Sequence, residues 1–299
     1  MPKETWLITG ASGMVGTNLC EELARDFRIC GTFLRHDLAT RAPCEPVRLD
    51  LREAVACREA ITRLRPRVVI HGAAAAGIDG CEKDPAAARA INVDGTANLL
   101  AACKTADPAP LFIYLSTDCV FDGEKPGGLY RETDLVSPLG VYARTKIEAE
   151  GLVQAAGLPW IILRLSQMYG TGSAARPSWM EQVLGQVRGG ERPVCFTDQY
   201  RSFLFVKDVA RASRKLAEKK ISDRLFHLGG PERLSRVEYA SRVLAHFGLS
   251  PQKLKCVSRL ENPTALTRPA DCSLDLTTLE KACGFRSTRL EDALREMYL

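Results

Sequence analysis

The stretch Thr5-Trp6-Leu7-Ile8-Thr9-Gly10-Ala11-Ser12-Gly13-Met14-Val15-Gly16 decides how this chain of 299 residues is read. It opens on an apolar, strand-like run, ends where a helix-forming segment begins, and sets three glycines three apart between the two. In that setting Gly10 permits a sharp turn, Gly13 lets the main chain approach a pyrophosphate, and Gly16 allows the helix to pack closely on the strand. The backbone around Ser12, Gly13, Met14 and Val15, at the positive end of the helix dipole, then faces an anion. The turn predicts a dinucleotide site.

Outward from this turn, short apolar runs alternate with helical patterns. Strands are predicted over 5–9, 28–34, 47–49, 67–71, 111–116 and 160–165, and helices over 14–25, 53–64, 85–105 and 140–156. Strand-helix alternation of this kind predicts an α/β fold, a doubly wound parallel (Rossmann) sheet with helices on both faces. Val68-Val69-Ile70 and Phe112-Ile113-Tyr114-Leu115 are apolar without alternation, as strands covered on both sides should be. After Leu165 the texture changes, with Gly170-Thr171-Gly172-Ser173, Arg176-Pro177, Gly189-Gly190 and Arg192-Pro193 breaking shorter elements. Residues 203–217 read as a strand and helix that return to the main sheet. The expected division is therefore a dinucleotide-binding domain over 1–165 and 203–229, and a smaller, irregular α/β substrate lobe over 166–202 and 230–299.

Composition narrows the functional classes. With 45% hydrophobic and 26% charged residues, the chain is globular rather than disordered. Its 41 Lys and Arg against 36 Asp and Glu leave a formal charge of +5 spread along the chain, so nucleic acid is not implied. A pocket for a polyanionic small molecule or an evenly basic surface would both produce this excess. The eleven cysteines include no C-x-x-C pair and no Cys/His cluster at zinc spacing, so reduced thiols and no metal are expected. Met1-Pro2-Lys3-Glu4 leads straight into an apolar run with no signal-peptide pattern, and no stretch has the roughly 18 apolar residues of a membrane span. A cytoplasmic protein is expected, with self-association as a homodimer left open.

Nicotinamide dinucleotides differ at the ribose 2' position, where a carboxylate after the second strand suits a hydroxyl and a cation suits a phosphate. Here the strand runs out through Thr32-Phe33-Leu34-Arg35-His36-Asp37. Arg35 points to NADP; in the alternative Arg35 is solvated, Asp37 holds the ribose, and the cofactor is NAD. Asp50-Leu51 is placed to meet the adenine, or else caps the next helix. Ala73 and Ala74, just past the fourth strand, complete the expected cofactor contacts.

Tyr142 and Lys146 lie four apart, so on a helix they share a face with about 6 Å between their Cβ atoms. Lowering a tyrosine pKa from about 10 by about 3 units takes roughly 4 kcal/mol. A lysine charge some 5 or 6 Å away supplies about 3 kcal/mol at an effective dielectric of about 20. Ser116-Thr117-Asp118 ends the preceding strand at the carboxyl edge of the sheet, where ligands of such folds lie. Thr117 can therefore orient a carbonyl that Tyr142 protonates, which is general acid catalysis beside a hydride donor.

Taken together, these motifs resemble the extended short-chain dehydrogenase/reductases. Leu115-Ser116-Thr117-Asp118-Cys119-Val120-Phe121-Asp122-Gly123, Tyr130-Arg131-Glu132-Thr133-Asp134 and Arg268-Pro269-Ala270-Asp271-Cys272-Ser273-Leu274-Asp275 are similar to the dTDP-4-dehydrorhamnose reductase branch. The resemblance implies catalytic Thr117, Tyr142 and Lys146, with Lys146 also holding the nicotinamide ribose, and a structural role for Asn92. It implies NADPH-dependent reduction of a 4-keto group on a nucleotide-linked deoxysugar, contacted by Thr117, Asp118, Cys119 and Gln167, with Arg201 and Arg268 on its diphosphate. Dehydratases of the family follow the threonine with Asp-Glu, whereas this chain has Asp118-Cys119. Ser166-Gln167-Met168-Tyr169 stands where the branch often carries a bulky residue, which leaves the sugar open. The resemblance also admits a non-catalytic, dinucleotide-binding regulatory subunit like that of methionine adenosyltransferase, and a sugar-nucleotide 4-epimerase.

Overall fold

A computed structural model describes residues 3–38, 42–172, 177–261 and 268–297; Ser173 and Arg176, named above among the breaks, lie outside them. The main strands are β1 (Thr5–Thr9), β2 (Arg28–Phe33), β3 (Glu45–Arg48), β4 (Val68–His71), β5 (Leu111–Thr117) and β6 (Trp160–Leu165). Three small two-stranded pairs follow: β7 (Met168–Tyr169) with β10 (Leu204–Phe205), β8 (Val194–Phe196) with β13 (Lys255–Val257), and β9 (Tyr200–Arg201) with β12 (Leu234–Ser235). The remaining strand, β11 (Arg224–Leu228), joins the main sheet, whose order is β11-β6-β5-β4-β1-β2-β3. Every pairing in it is parallel. The doubly wound fold read from the sequence is therefore present, and its order reverses between β1 and β4, where such sheets open a crevice.

Each strand feeds both faces because successive side chains point opposite ways. Trp6, Ile8, Ile70, Ile113 and Ile161 pack under α1 (Met14–Leu23) and α8 (Val206–Glu218) through Leu19, Leu23, Val209 and Leu216. Leu7, Val69, Phe112, Tyr114 and Ile162 pack under α2 (Ala54–Leu64), α5 (Gly95–Lys104) and α6 (Val141–Gln154). Between them on the chain lie the short α3 (Ile78–Lys83) and α4 (Pro85–Arg89). A separate core forms where α7 (Trp179–Arg188), α9 (Arg236–His246) and α11 (Leu290–Met297) meet around Tyr169, Phe203, Tyr239 and Leu244, while α10 (Thr277–Cys283) packs on the main core through Leu279. Ser178 and Ser235 open α7 and α9 with reciprocal capping boxes to Glu181 and Glu238.

Two expectations change. The helix predicted over 85–105 is divided by a wide π turn at Ala90–Asp94. There the Asn92 side chain accepts from the Ala75 amide at 2.8 Å and donates to the Ala75 carbonyl at 3.2 Å and the Thr145 hydroxyl at 2.9 Å. Bonding to two other segments outweighs helical regularity at this position. The strand expected at 203 is only β10, which pairs with β7 outside the main sheet; the returning strand is β11, beyond α8.

Sterics at the glycine turn give a paired test. A Cβ on Gly16 would lie 2.3 Å from the Gly10 carbonyl oxygen, whereas one on Gly151 in α6 would meet nothing within 4 Å. Gly16→Ala is expected to destabilise the fold by about 2 kcal/mol or more, and Gly151→Ala to stabilise it by about 0.5–1 kcal/mol. Denaturant midpoints should therefore move in opposite directions, and equal shifts would contradict the packing described.

Candidate active site

The glycine turn presents an open cradle. Gly10 has φ +72, and a Cβ there would lie 2.8 Å from the Ala73 Cα, so the loop after β4 packs directly on the turn. The Ala73 amide donates to the Thr9 hydroxyl at 3.1 Å, and Ala74 follows on the same loop. Gly13 is exposed, and a Cβ on it would meet nothing closer than the Gly10 oxygen at 3.4 Å. It caps α1 without a side-chain hydrogen bond, and no acid stands in the first helical turn. The amides from Met14 and Val15 onward therefore lack a side-chain acceptor and point where a pyrophosphate fits, beside partly buried Ser12. These residues suit a dinucleotide.

On the adjoining rim, Arg35 and Asp37 are both exposed. Asp50 is taken up by Arg52, accepting its backbone amide at 3.0 Å and its guanidinium at 2.6 Å. That bonding, with help from the Arg35 charge, holds its carboxyl below the usual range. Asp50 thus neither caps α2, which starts after Glu53 without a side-chain cap, nor keeps a free carboxylate. Leu51 is buried, and its carbonyl accepts from Asn98 at 2.9 Å.

Thr117, Asp118, Cys119, Tyr142 and Lys146 converge where β5 and α6 meet. The Thr117 oxygen accepts the Cys119 amide at 3.2 Å and lies beside the Tyr142 phenol. Lys146 is only 3% exposed; its Nζ lies 4.0 Å over the Tyr114 ring, with no hydrogen-bond acceptor among the described residues. The ammonium is thus uncommitted.

The pKa expectation for the pair needs correction. Burial pushes the Tyr142 phenol up, helped by the charges of Cys119 and Asp118, with Thr117 only partly offsetting the rise. Burial also pushes Lys146 down to about 7, against the opposing field of Glu150. The simple charge-pair arithmetic omitted the desolvation of both groups, which outweighs their attraction. Cys119, partly exposed and beside Asp118, is pushed up to about 12 by desolvation and stays a thiol.

Residues 4–299 match the model of the RmlD substrate binding domain. The chain belongs to that family. The bovine (Bos taurus) methionine adenosyltransferase 2 subunit beta is 31% identical over 94% of this chain and 83% of its own length. A dTDP-4-dehydrorhamnose reductase of Mycobacterium tuberculosis is 31% identical over 91% and 84%. The crystal structure of dTDP-4-dehydrorhamnose reductase from Bacillus anthracis str. Ames in complex with NADP superposes with a TM-score of 0.85 over 99% of each chain at 24% identity, which bears on the fold alone. The resemblance to the extended short-chain dehydrogenase/reductases is thereby established.

Against this family background the expected arginines divide. Arg201 is buried and largely committed to main chain, donating to Tyr200 O at 2.6 Å, Ala270 O at 3.2 Å and Pro269 O at 3.1 Å, with Asp118 at 3.6 Å. It braces the 269–270 segment more than it offers a free fork. Arg268, just before that segment, reaches exposed Asp79 at 3.2 Å. The sequence reading missed Arg236, which bonds Gln199 and stacks 4.8 Å over Trp179. Burial and the charges of Arg201 and Arg268 push its pKa down to about 10, so three guanidiniums face one region. Nothing local in the sequence marks Arg236, because its partners come from three other segments. Gln167 leaves β6 half-buried, its carbonyl accepting from Leu204 at 2.9 Å, and its neighbour Ser166 bonds Asp118 at 3.0 Å. Among the described residues no metal-binding cluster forms and no helix is long and apolar enough to cross a membrane.

Lys146 gives a pH-dependent test. Because its folded pKa lies below the value of 10.5 for a free lysine, the unfolded chain binds the extra proton between pH 7 and 10.5, and stability from this site rises with pH there. Lys146→Met should therefore be more stable than the parent by a few kcal/mol below pH 7, with the advantage shrinking toward pH 10.5. A difference in thermal midpoint that is constant with pH would show that Lys146 is not buried as described.

Proposed function

We propose that this protein reduces a 4-keto group on a nucleotide-linked deoxysugar with NADPH. The observation that carries the reading is the meeting of Thr117, at the end of β5, with Tyr142 and, one helical turn further along α6, the buried Lys146, whose Nζ has no hydrogen-bond acceptor among the described residues. When bound, the dihydronicotinamide supplies a hydride to the substrate carbonyl carbon. Tyr142, kept protonated by burial, delivers a proton to the carbonyl oxygen, and Thr117 orients that oxygen. Lys146 donates to the nicotinamide ribose and places positive charge beside the phenol as the proton leaves. The glycine turn, Ala73 and Ala74 hold the diphosphate side of the cofactor, and Arg35 takes the 2'-phosphate. The segments 166–202 and 230–299 act as the substrate lobe, where Arg236 and Arg268, braced through Arg201, hold the substrate diphosphate.

A second reading is supported by the 31% identity with a methionine adenosyltransferase 2 subunit beta. In it the same crevice binds a dinucleotide so that the chain can act as a regulatory subunit, and no sugar turns over.

A panel of keto-sugar nucleotides, scored by NADPH and NADH consumption, separates the two. Reduction on at least one substrate supports the enzyme. No turnover on any, with intact NADPH affinity and co-purification of a methionine adenosyltransferase catalytic chain, supports the subunit. Within the enzyme reading, Tyr142→Phe should lower kcat by roughly 10²–10⁴ while NADPH affinity changes little, and near-parental turnover would remove Tyr142 from its role. Arg35→Ala should weaken NADPH binding by about tenfold and leave NADH binding unchanged; equal effects on both cofactors would assign the 2' position to another residue.

A further inference from the structure

Cys20 lies in α1, whose amino end is the glycine turn, and Cys44 lies just before β3. Their sulfurs are 3.5 Å apart, and among the described residues this is the one sulfur–sulfur hydrogen bond between cysteines. The contact is built into the fold. Gly31 in β2 leaves the space that Cys44 occupies, since a Cβ there would lie 2.8 Å from the Cys44 sulfur and 2.7 Å from the Ala11 Cβ. Cys20 is fully buried, whereas Cys44 is partly exposed.

We propose that Cys20 and Cys44 are an oxidation site, a dithiol that a peroxide converts reversibly into a disulfide. The partly exposed Cys44 thiolate attacks the peroxide, the O–O bond breaks, hydroxide leaves, and Cys44 becomes a sulfenic acid. The Cys20 sulfur then attacks the Cys44 sulfur; the S–S bond forms, the S–O bond breaks, and water leaves with the Cys20 proton. Overall, two thiols and one hydrogen peroxide give one disulfide and two waters. Closing the bond needs the sulfurs to approach by about 1.5 Å.

The surroundings favour Cys44 as the first target. The contact with Cys20 and that with the Gly31 backbone hold the Cys44 thiol below the ordinary value against the cost of burial, while the contact with Cys44 and burial hold Cys20 above it. Cys30, 3.7 Å from the Glu45 carboxylate, is pushed up to about 11 by burial and that charge, so it competes poorly. The disulfide would pin the segment entering β3, beyond the loop that carries Arg35, to the helix that opens at the glycine turn.

The test treats the full chain with hydrogen peroxide and maps its peptides without reductant, using exposed Cys256 as an internal measure of general thiol oxidation. The expected result is a peptide joining Cys20 to Cys44 with the loss of two hydrogens, restored by dithiothreitol and absent from Cys44→Ser. In Cys20→Ala, Cys44 should gain oxygen instead of forming a link. The proposal is overturned if Cys44 of the parent stays reduced while Cys256 is oxidised. It is also overturned if parental Cys44 gains oxygen without ever linking to Cys20.

Discussion

A buried ion pair between Glu150 and Arg164 governs the geometry of the candidate site. Glu150 lies one turn beyond Lys146 on α6, and Arg164 lies on β6. The guanidinium grips the carboxylate with both arms, at 2.8 and 3.1 Å, while Ser116 at the end of β5 donates to it at 2.5 Å. Three elements are thus tied at one point, and the rotation of α6 about its own axis is set. Replacing such a pair by apolar groups is often tolerated, but removing one partner strands a buried charge at about 3–5 kcal/mol. Its position argues for register: a small rotation of α6 would carry Tyr142 away from Thr117. Glu150 also opposes the desolvation of Lys146, so one carboxylate both orients the helix and supports the charge on it.

Asn92 makes a second tie at the other side of the same helix. Its amide bridges the loop after β4 and Thr145 on α6, at the price of a π turn in its own helix. That loop packs on the glycine turn through Ala73 and Gly10. A continuous chain of contacts therefore runs from the phosphate cradle, through the loop after β4 and Asn92, to the helix that carries Tyr142 and Lys146. The glycine turn and the helix carrying Tyr142 and Lys146 are thus held on one framework.

The parts legible in the sequence are those fixed by short-range rules. Three glycines at fixed spacing, a tyrosine and lysine one turn apart, and a threonine at a strand end announce themselves because steric and helical periodicities act over a few residues. The six leading strands could be read for the same reason. What escaped depends on distant partners: Arg236 meets Gln199 and Trp179, Arg201 is absorbed by the carbonyls of 269–270, and β10 pairs with β7 rather than the main sheet. The pKa of Tyr142 was misjudged in sign because burial is a property of the whole fold, and spacing alone carries no information about desolvation.

The resulting inventory of protons favours one direction of chemistry on the proposed reading. Tyr142 is held protonated by burial, and Cys119, pushed up to about 12, keeps its proton as well. His71 is clamped between Thr9 and Thr96, and His227 faces the Tyr130 carbonyl; burial keeps both neutral, their pKa values down at about 3 and 4. Asp118 is engaged by Ser166 and Arg201, and burial raises its pKa. Apart from Lys146, which the proposed reading commits to the nicotinamide ribose, the free site therefore stores a proton to give and offers no ready base to take one. Elimination and epimerisation both require a base at some stage, whereas delivery of a proton to a developing alkoxide requires only the stored acid. A regulatory subunit would need neither, yet it would still carry the buried Arg236 guanidinium, its pKa held down by burial and by the charges of Arg201 and Arg268, a cost that a bound polyanion would relieve.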